Sequence, residues 1–154
     1  MTQTAVEPAT VAQRDFEGTV EAFRQALELY MAGDPDSVMA LYSRRDDVTL
    51  ANPLGPPRVG PAEVDKAARE GAAPLKDGSV RGIEEVSRYS TPDLGYVVEI
   101  ERTQARLPGS ENMTPFALRV TMIFRREGDT WKIVHRHADP ITTPRTITSI
   151  IEPG

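Results

Sequence analysis

The sequence predicts an α+β fold in which N-terminal helices pack on one face of an antiparallel sheet. Helical periodicity dominates the first half of the chain, and long β-rich segments dominate the second half. Short turns separate those segments, so neighbouring strands pair as hairpins in an antiparallel meander. At 154 residues, the chain is long enough for one domain with a substantial core.

Three helices are predicted. Apolar residues recur at helical spacing over 16–33, with charged residues on the opposite face. Asp34 and Pro35 then supply an N-cap and a first-turn proline for a short second helix. The third helix spans about 60–71, which is rich in Ala, Glu and Lys and opens with a Gly-Pro pair.

The strands follow from β-branched and aromatic runs bounded by turn residues. A short strand ends before the Asn52-Pro53 loop, and the four long strands are expected at 80–90, 94–107, 114–126 and 130–139. These elements place the domain at 15–140. The segments outside it, 1–14 and 141–154, are predicted to be a flexible N-terminal tail and a C-terminal extension.

Composition excludes several functional classes. The chain is 39% hydrophobic and 27% charged, which is typical of a globular domain, and its net charge of -5 argues against nucleic acid as a partner. It has no Cys, so thiolate nucleophiles and Cys-ligated metals are absent. No signal peptide or long apolar run is evident, so we expect a cytoplasmic protein that does not engage a membrane.

The order of these elements resembles the nuclear transport factor 2-like superfamily. The strand sequences over 96–103, 118–126 and 131–139 are similar to those of its SnoaL-like members, which are related to ketosteroid isomerase and polyketide cyclases. The resemblance covers about 15–140. It implies a cystatin-like α+β roll, in which three helices cover a highly curved sheet and enclose a cone-shaped pocket. It also implies a homodimer and a buried Asp or His facing an apolar ligand.

His135 and His137 are the strongest chemical signal. They are the only histidines, and residues two apart on a strand point to the same face. One of them can act as a general base near neutral pH, and both could bind a metal together with a carboxylate. Alternatively, they are ordinary sheet residues on the same face as Trp131 and Ile133. We predict the candidate base, with no metal and no cofactor.

Strand alternation also suggests polar partners. On the strand over 94–107, Glu99 and Glu101 share one face, opposite a row of apolar residues. The next strand can place Arg119 beside either carboxylate as a cross-strand pair. This mixed row can line the cavity, face solvent or face a partner subunit, and a solvated or interface position is the more common outcome.

The remaining candidate ligand-binding residues are Tyr42, Asn52 and Trp131, in addition to Glu99, Glu101 and Arg119. Asn52 would lie at the cavity mouth, although an Asn-Pro turn explains it equally well. Together with the resemblance, these residues predict a protein that binds a small apolar molecule. It would act as an isomerase, cyclase or dehydratase that transfers a proton on an apolar carbonyl compound. The alternative is a non-catalytic dimeric module that binds a ligand or a protein.

Overall fold

The three predicted helices are present in the computed structural model, which describes residues 15–154. They are α1 (Phe16–Met31), α2 (Asp36–Met39) and α3 (Pro61–Ala72). Helix α1 begins where the carboxylate of Asp15 accepts a hydrogen bond from the backbone N–H of Gly18 at 2.6 Å. The predicted tail, 1–14, lies outside the described residues.

Within residues 15–154, six strands form one sheet. They are β1 (Thr49–Ala51), β2 (Arg58–Val59), β3 (Lys76–Ser90), β4 (Leu94–Arg106), β5 (Met113–Glu127) and β6 (Thr130–Asp139). Their order is β2-β1-β6-β5-β4-β3, and β3 to β6 pair antiparallel as a meander. The predicted α+β class is therefore confirmed.

Two features of the sheet differ from the prediction. The two-residue strand β2 was not predicted, because so short a segment carries no alternating pattern. Strand β1 pairs parallel with β6, with Thr49 opposite His135, so the sheet is mixed at one edge. This pairing joins segments far apart in the chain, and local sequence patterns carry no information about such contacts.

The sheet bends because several strands carry irregularities. The β3–β4 ladder shifts register at three places, and the β5–β6 ladder shifts between Ile123 and Phe124. An extra residue in one strand bends that strand and increases its twist. Helix α1 packs against the sheet, and the backbone of Gly78 approaches it so closely that a Cβ there would lie 2.2 Å from the Met31 carbonyl oxygen.

The core lies between the helices and the concave face of the sheet. At one end, the Phe16 ring contacts Phe124 edge-on, with centroids 5.4 Å apart, and also contacts Trp131 at 5.6 Å. All three side chains are buried. These aromatic side chains fill this end of the core.

Beyond β6 the chain runs over 140–154 with nearly every residue exposed, including a short 3-10 helix over Ile147–Ile150. In the part of the chain that the structure describes, the longest helix has 16 residues. None of the helices there combines the length and the apolar character needed to cross a membrane.

Candidate functional site

An internal cavity of about 290 Å³ lies between α1, α3 and the concave face of the sheet. Ligand pockets span roughly 300–1,000 Å³, so this cavity suits a small molecule. Its wall is mainly apolar and includes Phe23, Leu27, Met31, Val38, Leu50, Ala67, Ala68, Leu75, Leu107, Phe116, Leu118 and Ala138. Leu54 also lines it and is 76% exposed, which places the mouth at the loop between β1 and β2.

A buried ion pair forms the polar part of the wall. Arg136 donates two hydrogen bonds to Glu101, at 2.8 Å from Nη1 to Oε2 and 2.7 Å from Nη2 to Oε1. Glu101 is 1% exposed and Arg136 is 8% exposed. Burial alone would disfavour the charge on Arg136, but the attraction of Glu101 outweighs it and raises the Arg136 pKa. Arg136 therefore carries its charge against the Glu101 carboxylate.

The position of Arg136 depends on the irregularity in the β5–β6 ladder. Phe124 lies opposite Ile133, whereas Ile123 lies opposite His135, so Val134 is the extra residue. A strand alternates faces strictly only while its pairing is regular. After Val134 the alternation reverses, and Arg136 faces the cavity.

Two tyrosine hydroxyls share this wall. Tyr30 and Tyr42 both line the cavity, and neither hydroxyl has a hydrogen-bond partner within residues 15–154. Burial raises the pKa of each phenol, although Arg136 partly opposes this, so both remain protonated donors. Gly71 makes room for Tyr30, because a Cβ at that position would lie 2.2 Å from the Tyr30 hydroxyl oxygen.

A second carboxylate lies behind the first. Glu99 is 0% exposed and lies two residues before Glu101 on β4. Its Oε1 accepts a hydrogen bond from Arg24 Nη2 at 3.0 Å. Burial raises the pKa of Glu99 to about 7, and the negative charge of Glu101 adds to this effect, while Arg24 opposes it.

Of the residues proposed from the sequence, Tyr42, Asn52 and Glu101 line the cavity. The Asn52 side chain also accepts a hydrogen bond from the Leu54 N–H at 3.0 Å, as expected for an Asn-Pro turn. Glu99 is buried beside Glu101. The mixed row of β4 therefore faces the helices, and the expected solvated or interface position for it is wrong.

The two histidines do not join this site. His135 and His137 share a face, as predicted, but the reversal at Val134 turns that face away from Trp131, Ile133 and the cavity. The Nδ1 of His135 lies 2.7 Å from the Thr49 hydroxyl, and exposed His137 contacts Asp139 at 2.9 Å. Burial lowers the pKa of His135, and His137 adds to this effect. The proposal of either histidine as the base in this cavity is therefore wrong.

Two further candidates also lie elsewhere. Trp131 is buried in the packed core beside Phe16 and does not line the cavity. Arg119 faces the outer side of the sheet, where it lies opposite Ile100 and binds Asp139 at 2.8 Å. The predicted pairing of Arg119 with Glu99 or Glu101 is wrong, because Val120 and Leu118 occupy the opposing positions.

Sequence reasoning missed Arg136 and did not select Tyr30 as a candidate ligand-binding residue. Regular alternation places Arg136 on the face opposite Trp131, which is the solvent face of a typical strand. A buried Glu on β4 requires a cationic partner. No local sequence pattern distinguishes Arg136 from the other basic residues nearby as that partner. Across 15–154, no cluster of three or more His, Cys, Asp or Glu side chains has the arrangement of a metal site.

Comparison with known proteins identifies this architecture. The family model of the SnoaL-like domain matches residues 20–142, which is most of the chain. The chain belongs to the SnoaL-like domain family. A comparison with curated proteins returned no match.

Several solved structures resemble this SnoaL-like protein. A candidate calcium/calmodulin-dependent protein kinase type II association domain from Thiobacillus denitrificans is 28% identical, with a TM-score of 0.67 over 84% of this chain and 98% of that chain. A candidate dehydratase of the NTF2-like family from Streptomyces avermitilis is 21% identical, with a TM-score of 0.67 over 81% and 93%. A ketosteroid isomerase-like protein from Erwinia carotovora is 19% identical, with a TM-score of 0.61 over 92% and 98%.

The buried ion pair gives the first prediction. Arg136→Met leaves Glu101 without its partner, so we expect unfolding free energy to fall by about 3–5 kcal/mol, the usual effect of breaking a buried pair. Replacing both residues, as Arg136→Met with Glu101→Leu, should recover much of this loss, because no buried charge remains. Urea denaturation of the four proteins in the double-mutant cycle measures both effects. A single variant as stable as the wild type would contradict the assignment.

Proposed function

We propose that this SnoaL-like protein binds a small, mostly apolar carbonyl compound in its cavity and transfers a proton on it. The reaction would be an isomerisation, a cyclisation or a dehydration. The observation that carries the proposal is the grouping of Glu101, Arg136, Tyr30 and Tyr42 on one part of a mainly apolar wall. Such a wall excludes water and strengthens the few polar contacts that a ligand makes.

Each polar group has a chemical role in this proposal. Glu101 would take a proton from the carbon next to the carbonyl, and the electron pair of that C–H bond would pass to the carbonyl oxygen. The neutral hydroxyls of Tyr30 and Tyr42 would donate to this oxygen as it gains charge. Return of the proton to another carbon completes an isomerisation, whereas loss of a β-hydroxyl as water completes a dehydration.

The names of two similar structures support this choice of reactions. One is a candidate dehydratase and another is ketosteroid isomerase-like. Arg136 suits the same chemistry, because its bidentate contact holds the Glu101 carboxylate in one orientation and compensates its charge. The guanidinium is itself held over the Phe23 ring, 5.1 Å from its centroid.

Filling the cavity should abolish binding. Ala68→Phe places an aromatic ring in the space that α3 borders, so the affinity for the ligand should fall at least tenfold. Ala62→Phe makes the same change on an exposed position of α3 and should have no effect. Binding is measured by saturation-transfer NMR with cyclic ketones and enones of increasing ring number. Equal binding by both variants would place the ligand outside this cavity.

The same probes test catalysis. Hydrogen–deuterium exchange at the carbon next to the carbonyl, followed by NMR in D₂O, reports proton abstraction directly. Glu101→Gln should slow this exchange by about 10²–10⁴-fold, the usual contribution of a general base. Circular dichroism confirms that the variant is folded. A folded Glu101→Gln protein that binds probes and exchanges at the wild-type rate would rule out Glu101 as the base.

The histidines provide a matched comparison. The double variant His135→Gln, His137→Gln should bind the probes and exchange their protons as the wild type does, because both side chains lie on the outer face of the sheet. A loss of exchange above tenfold in this variant, with binding retained, would restore a histidine to the mechanism.

A second candidate function is assembly, with this chain as a homodimeric binding module. The outer sheet face exposes Tyr89, Leu94 and Tyr96, of which the two tyrosines are cross-strand neighbours with ring centroids 6.1 Å apart. Apolar patches of this kind often mark interfaces. The name of the similar Thiobacillus denitrificans protein describes an association domain, which supports the same candidate.

This candidate predicts a homodimer through the outer sheet face. Light scattering coupled to size-exclusion chromatography should give twice the monomer mass of 16.9 kDa. Tyr96→Glu should shift the protein to the monomer, because a charge would be buried in the interface. Leu29→Glu makes a similar change at an exposed position of α1, on the other side of the sheet, and should leave the dimer intact. If the wild-type protein is a monomer at all concentrations tested, the homodimeric binding module is excluded.

A further inference from the structure

One buried oxygen next to the candidate site has no partner. Glu99 Oε1 accepts a hydrogen bond from Arg24, but Glu99 Oε2 has none, although the side chain is fully enclosed. Among the residues described, Nε of Arg24 and Nε of Arg106 are the only other side-chain polar atoms that are fully enclosed without a partner, whereas Tyr30 and Tyr42 border the cavity. A buried carboxylate oxygen without a donor is unfavourable, so its protonation state requires an explanation.

The groups around Glu99 come from four strands and a helix, and all but one of them are charged. Glu101 follows it on the same face of β4 and lies within hydrogen-bonding reach. Arg24 reaches it from α1, and the charge of Arg136 acts on it from β6. On β3, the carboxylate of Glu85 shares Arg24, while β5 contributes the apolar side chain of Val120 opposite Glu99.

A proton on Glu99 accounts for these contacts. Two carboxylates in contact and away from water do not both ionise readily, so one of them retains a proton. Glu101 accepts two hydrogen bonds from Arg136, which stabilises its charged form. Glu99 has a single bond from Arg24, and protonation turns its unpartnered Oε2 into a donor.

We propose that Glu99 is protonated and donates a hydrogen bond to Glu101. The protonation state of Glu99 then controls whether the pair of carboxyl groups can accept another proton from a ligand. The proposal rests on the proposed function of Glu101 as a base. Glu99 is a positioning residue in this scheme, because it does not line the cavity. It acts only through the neighbouring carboxylate.

The consequence for the site follows from charge compensation. While Glu99 is protonated, a second proton on Glu101 would leave the buried guanidinium of Arg136 without a counter-charge. Proton uptake from a ligand is then unfavourable. Once Glu99 has ionised, the pair can accept one proton and still retain one negative charge.

A chain of ion pairs links Glu99 to the protein surface on the side away from the cavity. Arg24 joins Glu99 to Glu85, and Glu85 in turn binds Arg88, which pairs with exposed Glu17. The side chain of Arg24 is 23% exposed, so solvent reaches this side of the pair. The guanidinium groups stay protonated, so this chain of ion pairs fixes the charges behind Glu99 and does not itself carry a proton.

The test that needs no ligand is a ¹³C NMR titration of the glutamate side-chain carboxyls in the wild-type protein. We expect one resonance with a midpoint near pH 7, the pKa at which burial and Glu101 place Glu99. This resonance should be absent in Glu99→Gln and should shift to lower pH in Glu101→Gln. Glu84→Gln, on the exposed side of β3, should leave it unchanged.

Stability gives a second measure of the same proton. Because folding raises the Glu99 pKa from 4.5 to about 7, the stability it contributes is complete below pH 4.5 and is lost as pH rises through 7. Relative to Glu99→Gln, the wild type should therefore lose stability over this interval. The proposal is overturned if all wild-type glutamates titrate near their ordinary values, or if the midpoint near 7 persists in Glu99→Gln.

The link to function is tested by the pH profile of probe exchange. Wild-type exchange should increase at least tenfold as pH rises through 7, whereas Glu99→Gln should bind the probes and exchange them slowly at every pH. If the exchange rate of Glu99→Gln rises equally steeply with pH, Glu99 does not control proton uptake by Glu101. If the titration shows the shared proton but no carbonyl probe exchanges, the proposed function fails while the proton-sharing pair stands.

Discussion

The ion pair between Glu101 and Arg136 is the constraint on which the rest of the site depends. Both side chains are buried on the concave face of the sheet, so removing either one leaves a buried charge without its partner. Their two hydrogen bonds join β4 to β6 across β5. The packed end of the core, around Phe16 and Phe124, supplies the hydrophobic stability that makes such a pair tolerable.

The apolar cavity and its polar wall have to be considered together. A guanidinium, a carboxylate and two phenols in contact with bulk water would bind little, because water competes for each of them. Here the apolar side chains of α1, α3 and β5 surround these groups. The same enclosure affects proton equilibria, since it keeps Tyr42 neutral and favours a proton on Glu99. The proposed ligand binding and the acid–base behaviour therefore have a single physical origin.

The fold positions these groups through a small irregularity. Val134 is one additional residue in β6. Beyond it, the even-numbered residues of the strand face the core in place of the odd-numbered ones. Without it, His135 and His137 would face the helices and Arg136 would face outwards. Glu101 would then lack its partner, and the cavity wall would carry imidazoles instead of a guanidinium. The chemistry available to the site thus depends on one irregularity in the strand pairing.

The sequence by itself determined the order of helices and long strands, the α+β class and the SnoaL-like resemblance, because periodicity and turn residues are local signals. It also identified Tyr42, Asn52, Glu99 and Glu101 as polar residues of interest. Only the tertiary structure decided which sheet face encloses the cavity, that Arg136 is inside and that His135, His137, Arg119 and Trp131 are elsewhere. These outcomes depend on strand register and on an irregularity in one ladder, which arise from contacts between segments far apart in the chain.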